Sequence, residues 1–429
     1  MAHEPPHGIH LLWSASDAAP VIVTNRGIVF PNEGGASEFS LRCNEAYGAL
    51  ASARPEALLD DQGAVVLATL QDITRTSDQA CSFSRATGLP TDDPNLSLGG
   101  FAVDPSVPGR ALASTQAYKS QAQLFVSDDY ARSWRVLAAN NPLAVYKTLL
   151  IASDGQHVIA GGQRYDMANN KLLSIYGYSL DGGQTWTDSD VASTREPLGY
   201  APNDSNVVFM REALPNSTLD PRDRLLRSSD GGKTFTQVGE FATLSGFAAD
   251  GNTVWLGSRF GGLFQSDDAG LTFTRILPEL INGADCVYFR QDVLWACANI
   301  APNTDGIFTS QDRGKSFTQF MRFEEVTTQV QCADVEVCEL PWRDWEYELT
   351  NGWSSTDGGL PSFVDASVPS DEPTGQVRVD AGAADAGLAV IDAAPEPVAK
   401  SDDGCSLGGH AEGGLFAIAL AALLRRRRR

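Results

Sequence analysis

Ser228-Ser229-Asp230-Gly231-Gly232-Lys233-Thr234-Phe235 is the stretch that decides the fold, because its pattern, Ser-x-Asp-x-Gly-x-Thr/Ser-aromatic, recurs along the chain. Clean copies are SLDGGQTW (Ser179, Asp181, Gly183, Trp186), SDDAGLTF (Ser266, Asp268, Gly270, Phe273) and SQDRGKSF (Ser310, Asp312, Gly314, Phe317). Two worn copies, Thr76 to Phe83 and Ser127 to Trp134, carry Ala80 and Ala131 where Gly belongs. A hydroxyl and a carboxylate able to bond nearby backbone N–H groups, with a Gly free to take φ > 0, describe a self-braced hairpin. The aromatic that follows opens the next strand and can turn inward to bury roughly 150–250 Å².

Between these turns the chain runs in short apolar segments, such as LSGFAAD from Leu244, TVWLG from Thr253, GLFQS from Gly262 and FTRI from Phe273. That is four strands per repeat, and box starts at 76, 127, 179, 228, 266 and 310 set periods of 38 to 52 residues. Four-stranded units at such a period point to a β-propeller. A decayed box at Asn32–Phe39 adds a first blade, so the count is seven, with six as the alternative. The predicted class is therefore all-β: a single propeller of about seven four-stranded blades, then a disordered linker and a short C-terminal apolar helix.

The boxes resemble the Asp-box (bacterial neuraminidase, BNR) repeats of sialidases, sortilin-type receptors and photosystem-assembly-factor-like propellers. The resemblance covers roughly residues 8–330 and implies that each box lies on the hairpin between the third and fourth strands, away from the axis where ligands bind. Its carboxylates Asp181, Asp230, Asp268 and Asp312 are then hairpin braces and not acid/base groups. The fold does not choose among enzymes, receptors and assembly factors.

Sialidase chemistry needs three arginines clamping a carboxylate, a Tyr–Glu nucleophile pair and an Asp acid/base. The string nearest the family's Arg-Ile-Pro signature, Thr274-Arg275-Ile276-Leu277-Pro278, has an inserted Leu277 and follows a box on an outermost strand. Arg195-Glu196, Arg211-Glu212 and nearby Tyr200 are other candidates, but neighbours on a strand face opposite sides, so neither pair is a ready-made dyad. No catalytic residue is assigned. No cofactor is called for either, as the chain has no Gly-rich phosphate loop and no Gly-x-Ser-x-Gly elbow.

The chain has 429 residues, 42% of them hydrophobic, and a formal net charge of −22. Five basic residues form the terminal run Arg425–Arg429, so the rest is more acidic still. This excludes a nucleic-acid partner, which calls for a basic footprint. Seven cysteines group as Cys286 with Cys297 around a hairpin, Cys332 near Cys338, Cys43 and Cys81 at corresponding ends of neighbouring repeats, and Cys405 apart. Three pairs plus one fit an oxidising compartment, with connectivity open. No Cys-x-x-Cys is present, and His3, His7 and His10 lie in a terminus expected to fray, so no metal site is predicted.

Residues 1–7 form that frayed terminus, the propeller follows, and residues 331–353 form a Cys- and Trp-containing closing strand or cap. Residues 354–404 are rich in Asp, Ala and Pro and too poor in apolar groups to order themselves. Their typical span is roughly 40 Å. Residues 405–429 place Cys405 before an apolar run (Gly413–Leu424) and the arginines, which resembles the myxobacterial C-terminal sorting signal (MYXO-CTERM type). Twelve apolar residues cover about 18 Å of a hydrocarbon core near 30 Å, a length that suits a temporary anchor. The resemblance implies contact with the membrane before processing, cleavage near Cys405 by a sorting protease, and display at the cell surface or outer membrane, or release. MAHEPPHG is no signal peptide, so export implies a leader upstream with a cleavage site near Ala2. The resulting reading is a non-catalytic module binding an extracellular protein or glycan; a divergent sialidase-like glycoside hydrolase is the alternative, and an assembly-factor-like propeller a third.

Overall fold

Seven antiparallel sheets, each a four-stranded meander, follow one another along the chain. The computed structural model describes residues 7–351 apart from 14–18, 33–37, 48–55, 61, 70–71, 91–95, 118–122, 139–143, 167, 215–220, 277–280 and 301–303. The acidic linker, Cys405 and the apolar C-terminal run lie outside the described residues. The molecule is a seven-bladed β-propeller, and the count of six falls away.

Blade 1 uses Gly8–Leu12, Val21–Thr24, Gly27–Pro31 and Phe39–Cys43, and blade 7 uses Ile281–Arg290, Val293–Ile300, Thr304–Ser310 and Thr318–Arg322. Between them, blade 2 runs from Glu56 to Arg85, blade 3 from Leu96 to Ala138, blade 4 from Ala144 to Val191 and blade 6 from Leu244 to Ile276, while blade 5 uses Arg195–Ala201, Asp204–Ala213, Arg222–Ser228 and Thr236–Ala242. In blade 4, Val158–Asp166 and Lys171–Ser179 stay in unbroken register from Val158↔Ser179 to Asp166↔Lys171.

Hydrophobic clusters sit between blades, so the middle strands of each blade have two apolar faces to cover, whereas the outer strands are largely exposed. Leu225 packs with Val254 and Leu256 of blade 6, while its neighbour Leu226 packs with Ile159 and Tyr176 of blade 4. This is why the strands read as continuous apolar runs without in–out alternation. Seven such clusters fill the seven seams, including one between blades 7 and 1 that contains Leu11, Val29, Trp295 and Ile307. Near the axis the blades approach so closely that side chains are excluded. A Cβ on Gly161 would lie 1.9 Å from the Arg195 carbonyl, and one on Gly283 would lie 2.1 Å from that of Arg259.

The four antiparallel strands of blade 1 all come from the N-terminal part of the chain, so no later strand completes its meander. A strap, residues 323–351, closes the ring instead. Thr328–Gln329 pairs in parallel with Ser40–Leu41 as a fifth strand, and the helix Glu339–Asn351 drives Trp345, 2% exposed, into the seam between blades 7 and 1. Disulfides Cys43–Cys338 and Cys81–Cys332 fasten the strap to blades 1 and 2, and Cys286–Cys297 joins the two inner strands of blade 7. Only the last pairing matches the grouping by proximity in sequence; the other four cysteines pair across the ring's closure.

Candidate functional site

The box hairpins join the third and outer strands of blades 2 to 7. In blade 5 the Ser228 hydroxyl donates to Asp230 Oδ1 (2.7 Å) and accepts from Gly232 N (2.9 Å). Asp230 Oδ1 also accepts from Thr234 N (2.9 Å), and Oδ2 from the Thr234 hydroxyl (2.6 Å). The same set recurs around Asp181, Asp268 and Asp312. The worn boxes keep it too: Ala80 and Ala131 accept left-handed backbones, φ 65° and 62°, and still donate to Thr76 and Ser127. Burial raises the pKa of the Asp230 carboxyl, but bonds from Thr234, Ser228 and Lys233 outweigh it and hold it at about 2. A carboxylate committed in this way cannot carry protons at neutral pH.

The boxes have a second use. Each is gripped by a polar group of the blade before it: Arg42 Nε donates to Ala80 O (3.0 Å), Asp60 pairs with Arg132 (3.0 Å), and Arg110 donates to Gly182 O (3.1 Å). Tyr176 donates to Lys233 O (3.2 Å), Arg227 to Ala269 O (3.0 Å), and Asp250 pairs with Arg313 (2.6 Å). The box aromatics enter the same seams, as with Trp186 stacked on Tyr146 at 4.5 Å and Phe235 edge-on to Tyr176 at 5.3 Å.

The two Arg–Glu neighbours meet in blade 5, and they meet crosswise. Arg195 sits opposite Glu212, and Glu196 opposite Arg211, on adjacent strands. On one face a ladder crosses all four strands: Arg195 Nε to Glu212 (2.6 Å), Glu212 to Arg224 Nη1 (3.2 Å), and Arg224 to Glu240 (3.6 Å). On the other face Arg211 bonds Glu196 and the Leu244 carbonyl and lies 3.7 Å from Asp223, which accepts from Leu244 N (2.7 Å). Burial, with help from Glu196, raises the Asp223 pKa against the opposing pull of Arg211 and the Leu244 N–H. Sequence reasoning gave no role to Asp223, Arg224 or Glu240, because only the strand register brings them to the cluster. The three arginines face four carboxylates, so their charge is fully matched; a carboxylate substrate would have to displace one of them. Tyr200 lies on the inner strand of the same blade, its hydroxyl buried without a hydrogen-bond partner and its pKa raised by burial and by Asp154. Thr274–Ile276 forms the outermost strand of blade 6, and among the described residues no His, Cys, Asp and Glu groups gather as a metal site.

An open groove of about 440 Å³ lies at the closure. One wall is the blade 2 box, with Ser77, Asp78, Gln79 and Cys81; the other is the strap, with Val330 and Gln331, and Asn32 of blade 1 completes it. Here the strap joins blade 1 against the blade 2 box, with Cys81 Sγ near the Gln331 carbonyl. Amides, a hydroxyl and a carboxylate line it, a set suited to hydrogen bonding. No sequence motif marks it, since its walls are some 250 residues apart.

No helix among the described residues is long and apolar enough to cross a membrane. No curated protein matches the chain. Solved structures similar to it include a puromycin hydrolase (12% identity over 69% of this chain and 52% of that one, TM-score 0.46). The GH74 xyloglucanase of Xanthomonas campestris is another (16%, 70% and 52%, TM-score 0.28), as is YCF48 from Cyanidioschyzon merolae (14%, 69% and 94%, TM-score 0.46). The chain spans about half the length of the first two. The sequence model of the BNR-Asp box repeat matches residues 307–320, the third-to-outer hairpin of blade 7, so the chain carries a BNR-Asp box repeat within a seven-bladed propeller.

Proposed function

We propose that the protein is an exported, surface-sorted, non-catalytic propeller that binds an extracellular glycan or protein segment. The observation that carries this is the seam groove, where Asn32, Gln79, Gln331 and Ser77 present hydrogen-bonding groups to an open cleft. Such a lining suits hydroxyl- or amide-rich chains. Three disulfides fit an oxidising compartment. The linker and the Cys405 segment supply the tether and the substrate of the sorting protease, and after processing the propeller stands at the cell surface or is released.

A second reading, a divergent glycoside hydrolase, is favoured by one observation. Asp223 is a buried carboxyl with a raised pKa near Glu196, the condition a general acid requires. One experiment separates the two: the full chain is assayed against fluorogenic glycosides, including a sialoside, and in parallel for retention on a glycan and peptide array. Retention that falls at least tenfold in Gln331→Ala, without turnover, supports the binding module. Turnover abolished by Asp223→Asn in a folded protein replaces it with the hydrolase.

A further inference from the structure

The three disulfides differ sharply in access. Cys43 and Cys338 are 1% and 2% exposed, and Cys286 and Cys297 are 3% and 2% exposed. Cys81 and Cys332 are half-buried, and Cys81 lines the groove. Their bond also joins the groove's two walls, the blade 2 box and the strap. The strap has other holds on either side of it: Thr328–Gln329 on blade 1, Asp334 on Arg42, and Cys338 on Cys43.

From this arrangement we propose that Cys81–Cys332 is a thiol–disulfide exchange site for a dithiol reductant, and that its opening frees one wall of the groove while the ring stays closed. A thiolate of the dithiol entering the groove attacks Cys81 Sγ; the S–S bond breaks and the Cys332 thiolate leaves. The second thiol of the reductant then attacks the sulfur joined to Cys81 and expels the Cys81 thiolate. Two electrons pass to the protein, both thiolates take up a proton, and the reductant ends as its own disulfide. Exchange requires access to one sulfur along the line of attack, and accessible disulfides are the labile ones. The consequence is mechanical: the bond ties the strap wall of the groove covalently to the blade 2 wall, and opening it loosens the strap between its holds at Val330 and Asp334. The inference does not depend on what the groove binds.

The test uses the full chain in native buffer with rising dithiothreitol, alkylation of freed thiols, and peptide mass spectrometry. Cys81 and Cys332 should be alkylated at least tenfold faster than Cys43, Cys338, Cys286 and Cys297. Equal or faster labelling of either buried pair overturns the proposal. In the Cys81→Ser/Cys332→Ser variant, amide hydrogen exchange over residues 328–333 should rise at least tenfold while blades 3 to 6 are unchanged. Unchanged protection at 328–333 overturns the gating step, and loss of protection throughout the ring overturns the claim that the remaining holds keep it closed.

Discussion

Arg42 and Asp334 are 292 residues apart in the chain and 2.8 Å apart in space. The guanidinium is 1% exposed, lies between the strap and the blade 2 box, and also donates to Ala80 O, whereas half of the Asp334 side chain remains in water. The asymmetry decides the cost of breaking the pair. Asp334→Ala leaves a buried charge without a counter-ion and should lower stability by about 2–4 kcal/mol, although the residue looks like a surface aspartate. Arg42→Met removes the charge along with its desolvation penalty and should cost less. Urea unfolding of the oxidised proteins checks the order; a neutral Asp334→Ala would show that water screens the guanidinium.

The box hairpins make a separable claim about stability and function. Asp230→Ala removes the acceptor for Thr234 N, the Thr234 hydroxyl and the Ser228 hydroxyl, and should cost about 1–2 kcal/mol. Phe235→Ala removes an edge contact with Tyr176 and a face for Arg195, costing about 2 kcal/mol for a half-buried ring. Binding should survive in both folded variants, since the groove is lined by the blade 2 box, the strap and Asn32, and the blade 5 box belongs to a sheet three blades further round. Selective loss of binding by Asp230→Ala at unchanged thermal midpoint would contradict the bracing role.

The same carboxylates set the response to acid. Asp78, Asp129, Asp181, Asp230, Asp268 and Asp312 all have lowered pKa values, and Asp154 is held at about 2: burial raises it, but bonds from His157, Gln156 and Ser205 prevail. A group whose folded pKa is depressed adds stability above its unfolded value, about 3.9, and loses it as pH falls through the folded value. Asp223 is shifted the other way and recovers a little stability on protonation. The sum predicts a thermal midpoint nearly flat above pH 5 that falls steeply between about pH 4 and 2. A midpoint unchanged across that window would mean the boxes are already open or unpaired in solution.

What the sequence discloses and what it hides divide along contact range. A box is legible because Ser228, Asp230, Gly232 and Thr234 bond one another within seven residues, leaving a pattern that repeats with each blade. Cross-blade grips leave none: the same place in the ring is taken by Arg110, Tyr176, Arg227 or Asp250. Strand alternation suffices to reject Arg211 and Glu212 as a dyad. Finding the crosswise pairs Arg195–Glu212 and Arg211–Glu196 requires the hairpin register, which two bulges shift. The groove and the two strap disulfides were hidden for the same reason, since nothing local links Cys43 to Cys338.

Those two disulfides should be only mildly non-additive in free energy, yet differ in what their loss releases. Each closes a very long loop, with separations of 295 and 251 residues, and while one remains the other restricts a much shorter one. Losing Cys43–Cys338 alone, or Cys81–Cys332 alone, frees the short stretches between Cys43 and Cys81 and between Cys332 and Cys338, worth about 4 kcal/mol by loop entropy. Losing the second bond frees the whole ring and costs about 5 kcal/mol more. The single Cys→Ser pairs should therefore melt as cooperative propellers, while the quadruple variant, Cys43, Cys81, Cys332 and Cys338 all to Ser, should lose protection first at the seam between blades 7 and 1. There Trp345 and Leu11 separate once the strap is released, an event that tryptophan fluorescence and hydrogen exchange over residues 8–12 can follow. If the quadruple variant keeps native protection at residues 8–12, apolar packing of blade 7 on blade 1 closes the ring without the strap.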